Sequence, residues 1–78
     1  MSEVIETGKP EWLKRAEAEQ KELWERLRKL NAALGNANVR ATIDPNDLED
    51  MTAQERAMNQ YNWALVRRIK RNGGTVCE

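Results

Sequence analysis

The chain is 78 residues long, which allows one small domain with too little interior for a large core, so we expect it to form oligomers. Thirteen basic side chains balance thirteen acidic ones, and this neutrality disfavours binding to long nucleic acid, which requires a positive surface. Histidine, the commonest general base and transition-metal ligand, is absent, so we expect a non-enzymatic protein with no cofactor and no metal.

The first predicted elements are a flexible arm over residues 1–9 and a helix over residues 10–34. Pro10 suits the first turn of a helix because its missing N–H is not needed there. Gly35 is expected to end the helix in the left-handed conformation that glycine adopts readily. Between them, residues recur in alternating steps of three and four, which predicts one continuous inward face. This face consists of Leu13, Ala16, Gln20, Leu23, Leu27, Leu30 and Leu34.

A loop is predicted over residues 35–44, and two signals compete for the start of the helix that follows. Asp44 and Pro45 suit the N-cap and the first helical position. Thr52 and Glu55 fit a capping box, in which each side chain satisfies a free backbone N–H of the other residue. The second helix is therefore predicted to begin at residue 45 or at residue 52.

The second helix is predicted to end at residue 71, before an Asn-Gly-Gly sequence. Residues 73–78 then form a tail, which we expect to be frayed from Thr75 onward, with the thiol of Cys77 in solvent. The predicted fold class is all-α: an antiparallel two-helix hairpin over residues 10–72 that assembles into a symmetric homo-oligomer. No apolar run approaches the roughly 20 residues of a membrane span, and the arm lacks the features of a secretion signal. We therefore expect a cytoplasmic protein.

The second helix carries a predicted face on which apolar and polar residues alternate. Gln54, Tyr61 and Arg68 are spaced by sevens and form the polar half of that face. The apolar half consists of Met51, Met58 and Leu65. Two interpretations remain open for the polar row. Either it hydrogen-bonds between helices and sets the register of an oligomer, or copies from adjacent protomers bind a small anionic ligand.

Other residues admit a structural and a functional interpretation as well. The end of the second helix is basic, through Arg67, Arg68, Lys70 and Arg71, which either complements the helix dipole or binds phosphate. The three tryptophans, Trp12, Trp24 and Trp63, are expected to mediate packing or protein contacts rather than base stacking. The acidic residues Asp44, Asp47, Glu49 and Asp50 do not have the spacing of a calcium loop.

Two stretches of the chain carry a combined pattern within residues 16–70. The pattern is Glu22-Leu23 and Arg26-Leu27-x-x-Leu30, followed by Gln54-x-x-Ala57-Met58-x-x-Tyr61-x-x-x-Leu65-x-x-Arg68-Ile69. It resembles small proteins of tailed and crAss-like phages that are called crAss-phage-related hypothetical proteins. The resemblance implies a phage origin and an accessory role in the cytoplasm of the infected bacterium.

A looser analogy extends this expectation to a function. Small oligomeric helical-hairpin proteins of phages include sponges that sequester the nucleotide messengers of CBASS and Thoeris defence systems. By analogy we expect an anti-defence protein that sequesters a cyclic nucleotide or an ADP-ribose-type messenger at protomer interfaces. The candidate ligand-binding residues are Gln54, Tyr61, Arg68 and Arg67. The alternative is an interaction factor that blocks a host or phage protein through its tryptophan-bearing faces.

Overall fold

The computed structural model describes residues 9–78, so nearly all of the predicted N-terminal arm lies outside the described residues. The described chain forms three helices and no strand: α1 (Glu11–Leu34), α2 (Ala37–Ala41) and α3 (Pro45–Arg71). The all-α prediction is confirmed, and the two long helices α1 and α3 pack together as a hairpin. The symmetric homo-oligomer stays a prediction.

The ends of α1 differ from the prediction in two respects, since the helix begins at Glu11 instead of residue 10 and Gly35 is not left-handed. Pro10 is the N-cap, with an extended backbone, and its carbonyl accepts hydrogen bonds from the N–H groups of Leu13 and Lys14. Gly35 follows the last helical residue, but its φ of −85° is right-handed, not left-handed as predicted. Its N–H continues the helical pattern by donating to the carbonyl of Asn31 at 2.9 Å. A left-handed glycine occurs instead after α3, where Gly73 has a φ of +81°.

The connection between the long helices is more ordered than the predicted loop. It contains α2, whose N-cap Asn36 accepts hydrogen bonds from the N–H groups of Asn38 and Val39 through its side chain. At the start of α3, the side chain of Asp44 accepts a hydrogen bond from the Asn46 N–H, and Pro45 occupies the first turn. Of the two predicted starts, the structure has the one at residue 45. Residue 52 lies inside α3, so the predicted capping box is absent.

The apolar core lies where the first half of α1 meets the second half of α3. Its buried cluster, with partly buried Met58 and Val76 against it, consists of Leu13, Ala16, Leu23, Leu65 and Ile69. Burying one leucine or isoleucine side chain stabilises the fold by about 1.5–3 kcal/mol. The inward face predicted for α1 matches the structure, because every α1 residue that is buried belongs to it.

The C-terminal tail is docked along α1, so the prediction of a frayed tail is wrong. After the turn at Gly73, the N–H of Gly74 donates to the carbonyl of Ile69 at 2.8 Å. Val76 then packs against the core cluster, and Cys77 is half-buried instead of lying in solvent. The tail therefore contributes to the core of this small hairpin.

We predict that Gly74→Ala destabilises the fold by about 1–3 kcal/mol, the usual effect of overpacking a core. A Cβ at this position would lie 2.6 Å from Cγ2 of Ile69 and 3.1 Å from Cδ1 of Leu13, so the tail would have to move away. Urea unfolding measures the change. Gly73→Asn is the matched control, since asparagine tolerates a positive φ and a Cβ there meets open space. Equal unfolding midpoints for Gly74→Ala and the wild type would contradict the tight docking of the tail.

Candidate ligand-binding site

The structure places the predicted polar row on one flank of α3, outside the interface with α1. Gln54, Tyr61 and Arg68 are all exposed, with Tyr61 46% accessible. The residues of α3 that face α1 are instead Asn62, Leu65, Val66 and Ile69. The inward face was therefore predicted partly in the wrong place: Leu65 is buried and Met58 packs against the core cluster, whereas the polar row is exposed. Arg67 is also exposed, but it lies about 100° around the helix from Arg68 and does not join the row.

Trp12 extends the polar row across to α1. The guanidinium carbon of Arg68 lies 5.3 Å from the centroid of the Trp12 ring, which is the geometry of a cation–π contact. At an exposed site such a contact is worth about 0.5–1 kcal/mol. We call this surface the Tyr61 flank; it consists of Trp12, Gln54, Tyr61 and Arg68. The tryptophan holds the arginine in place, while the guanidinium forms no hydrogen bond or ion pair with any other described residue.

A buried polar network lies between α1, α3 and the tail. Gln20 is fully buried; its Nε2 donates to Oδ1 of Asn62 and to the carbonyl of Cys77, each at 2.9 Å. Its Oε1 accepts from the N–H of Cys77 at 2.8 Å. Among the described residues, no fully buried side-chain N or O atom lacks a partner. The sequence pattern placed Gln20 on the inward face but gave no role to Asn62, whose partner lies 42 residues away.

Glu17 provides a second attachment for the tail. Its Oε2 accepts from Nζ of Lys9 at 2.9 Å and from the N–H of Thr75 at 2.7 Å. The hydrogen bond from Lys9, followed by the one from the Thr75 backbone, holds the pKa of the Glu17 carboxyl below its usual range. The ionised carboxylate therefore binds the tail and the start of α1 together.

The flank opposite the Tyr61 flank contains a cavity of about 170 Å³. Its walls are Trp24, Asn62, Trp63, Val66 and Glu78, so α1, α3 and the tail all contribute. We call it the Trp24–Trp63 cavity. No sequence pattern indicated this cavity, because one of its walls belongs to the tail, which was predicted to be frayed.

The hairpin matches one family of known proteins. The family model described as Sequestin matches residues 10–71, which include all three helices. The chain belongs to the Sequestin family. The family name suggests a sequestering function, and the Sequestin match gives neither a ligand nor a relationship to crAss-phage proteins. No curated protein and no solved structure is significantly similar to the chain.

Two further features of residues 9–78 concern metals and membranes. In this part of the chain, no group of three or more histidine, cysteine or acidic residues could hold a metal ion. None of the three described helices combines the length and the apolar character needed to cross a membrane.

We predict that acid weakens the fold through Glu17. A carboxyl with a lowered folded-state pKa contributes stability that is fully present above its unfolded pKa of about 4.3 and is lost as the pH falls through the folded pKa. Glu17→Gln should therefore be less stable than the wild type at neutral pH, and the difference should shrink toward pH 3. Urea unfolding across this range measures it. Glu19→Gln, at an exposed position of the same helix, serves as the control. If the loss of unfolding free energy in Glu17→Gln does not change with pH, ionised Glu17 does not stabilise the fold as proposed.

We also predict that Gln20→Ala releases the tail. The substitution leaves the backbone N–H of Cys77 and the amide of Asn62 without their buried partner, and each unsatisfied group costs about 1–3 kcal/mol. Hydrogen exchange at the Cys77 amide should accelerate by at least about tenfold. Gln54→Ala removes an exposed glutamine instead and should change stability by less than about 0.5 kcal/mol. Unchanged exchange at Cys77 in Gln20→Ala would show that the network does not hold the tail.

Proposed function

We propose that the chain is a non-enzymatic phage protein that sequesters a small anionic messenger in the cytoplasm of the infected bacterium. The ligand is a cyclic nucleotide or an ADP-ribose-type molecule, and copies of the Tyr61 flank bind it between protomers. Membership of the Sequestin family supports the sequestering part of the proposal. The observation that carries the rest is the guanidinium of Arg68, held over Trp12 and free of partners among the described residues.

Each member of the flank offers a contact suited to such a ligand. The planar guanidinium of Arg68 can donate two parallel hydrogen bonds to phosphate oxygens, a geometry that lysine lacks. The exposed ring of Tyr61 provides a surface on which a base can stack. The amide of Gln54 can donate to and accept from a base edge or a sugar hydroxyl. None of these groups is a general base at neutral pH, so the proposed action is stoichiometric binding.

The spacing of the row supports a site shared between copies. Gln54 and Arg68 lie fourteen residues apart, or about 21 Å along the helix axis, with Tyr61 at the midpoint. A compact ligand therefore does not reach all three side chains in one chain. If a second copy lies antiparallel across a two-fold axis at Tyr61, its Gln54 comes close to Arg68 of the first copy. Such a pairing would also cover the exposed ring of Tyr61.

We predict that Arg68→Ala weakens messenger binding by at least about tenfold, since a hydrogen bond to a charged group contributes about 1.5–3 kcal/mol. Calorimetry against a panel of cyclic dinucleotides, cyclic trinucleotides and ADP-ribose derivatives measures the affinity. Because the proposed action is binding without catalysis, chromatography should show that the messenger recovered from the complex is chemically unchanged. Arg71→Ala is the matched control, because it removes an exposed cation from the same helix end outside the row.

Two results would overturn the proposal. One is the absence of binding to every member of the panel by protein that is helical by circular dichroism and associated by light scattering. The other is an equal loss of affinity in Arg68→Ala and Arg71→Ala, which would indicate general charge attraction.

The alternative function is to block a host or phage protein, and one observation favours it. Trp63 is 61% exposed, and large exposed aromatic side chains are typical anchors of protein interfaces. A stable protein partner that is captured by the wild type and lost on Trp63→Ala, together with no binding to the messenger panel, would favour this alternative.

A further inference from the structure

The Trp24–Trp63 cavity is a separate surface from the Tyr61 flank. Trp63 follows Tyr61 by two residues, which places it about 200° around α3. Trp24 follows Trp12 by twelve residues, which places it about 120° around α1. The four aromatic side chains therefore divide into two pairs, one on each side of the hairpin.

The walls of the cavity combine aromatic surface with a side-chain amide and a carboxylate. Trp24 and Trp63 provide indole rings. Asn62 is 8% exposed, and its Oδ1 is held by Gln20, which fixes the orientation of the amide. The Nδ2 atom of Asn62 donates to none of the described residues. Every fully buried polar side-chain atom in residues 9–78 has a partner, so Nδ2 must be partly accessible to solvent. The carboxylate of Glu78 supplies an acceptor.

The charge of the cavity favours a neutral ring over an organic cation. Oε2 of Glu78 lies 2.8 Å from Nζ of Lys70, so the carboxylate is already balanced by a positive charge. The Glu78 side chain would therefore add little attraction for a quaternary ammonium group. A nucleobase that carries an amino group next to a ring nitrogen would stack on an indole, donate to Glu78 and accept from Asn62.

The volume of the cavity limits the size of the group that it can hold. Pockets for drug-sized ligands are typically about 300–1,000 Å³, whereas this one is about 170 Å³. It has room for a single ring system and not for a whole nucleotide. A sugar and its phosphates would therefore remain outside, in solvent or against another protomer.

We propose that the Trp24–Trp63 cavity is a nucleobase subsite, in which Glu78 and Asn62 bind the edge of an amino-bearing base. The inference rests on the proposed function for the class of ligand but uses none of the residues of the Tyr61 flank. It also gives the tail a function, because Glu78 reaches the cavity only when Gln20 and Glu17 hold the tail on α1. The tail lies beyond the Sequestin match, so this wall is additional to the matched hairpin.

The test is a nuclear magnetic resonance titration of the full chain with AMP, GMP and CMP. The indole N–H signals of the three tryptophans are assigned with single Trp→Phe variants, so Trp12 serves as an internal control on the other flank. We expect at least one monophosphate to shift the Trp24 and Trp63 signals saturably and to leave Trp12 unchanged. Trp63→Ala should weaken this binding by about tenfold, in line with the loss of one stacked ring. Glu78→Gln should weaken it as well, whereas Trp12→Ala should not.

Several outcomes would overturn the subsite. These are no shift of Trp24 and Trp63 at millimolar AMP, GMP or CMP, equal shifts with choline chloride, or unchanged affinity in both Trp63→Ala and Glu78→Gln. If Arg68-dependent binding of a cyclic messenger persists in those cases, the proposed function stands and only the cavity assignment fails. Conversely, cavity binding of a monophosphate without any Arg68-dependent messenger binding would uphold the subsite and overturn the Tyr61 flank as the site.

Discussion

One buried amide determines how the two long helices and the tail meet. Gln20 uses both N–H groups and its oxygen on partners from α3 and the tail, with all three distances between 2.8 and 2.9 Å. Apolar contacts among leucine, valine and isoleucine tolerate several alignments, whereas a buried amide without partners costs about 1–3 kcal/mol. Rotating α3 by one residue would move Asn62 by about 100° and break the network. The polar network therefore selects the register, and the apolar cluster supplies most of the stability.

That register decides which side chains of α3 are available to a ligand. Because Asn62 faces inward, its neighbours Tyr61 and Trp63 face outward on opposite sides. One side carries the arginine held over Trp12, and the other carries the cavity that Glu78 lines. Both candidate surfaces thus follow from the inward position of a single asparagine.

The sequence predicts the helices better than it predicts the faces that meet. In α1 the apolar residues repeat without a competing set, so the inward face, including Gln20, follows from local spacing alone. In α3 two overlapping sets of apolar residues could each form the inward face. One set contains Met51 and Met58, and the other contains Val66 and Ile69. The choice between them depends on the partner of Asn62, which is remote in sequence and leaves no local pattern. The tail was missed for the same reason, because its partners are side chains of α1.

The contacts of the tail separate its structural role from its role in the cavity. Glu17 and Gln20 bind backbone atoms of Thr75 and Cys77, so the side chains at these two positions can change without loss of these hydrogen bonds. Docking depends on the tail residues themselves at Gly74 and Val76, where space and apolar contact are required, and at Glu78, whose carboxylate forms an exposed ion pair with Lys70. Glu78 also lines the cavity. An exposed ion pair such as Lys70–Glu78 contributes only about 0–1 kcal/mol, so substitution at Glu78 can alter the chemistry of the cavity while the other attachments keep the tail docked.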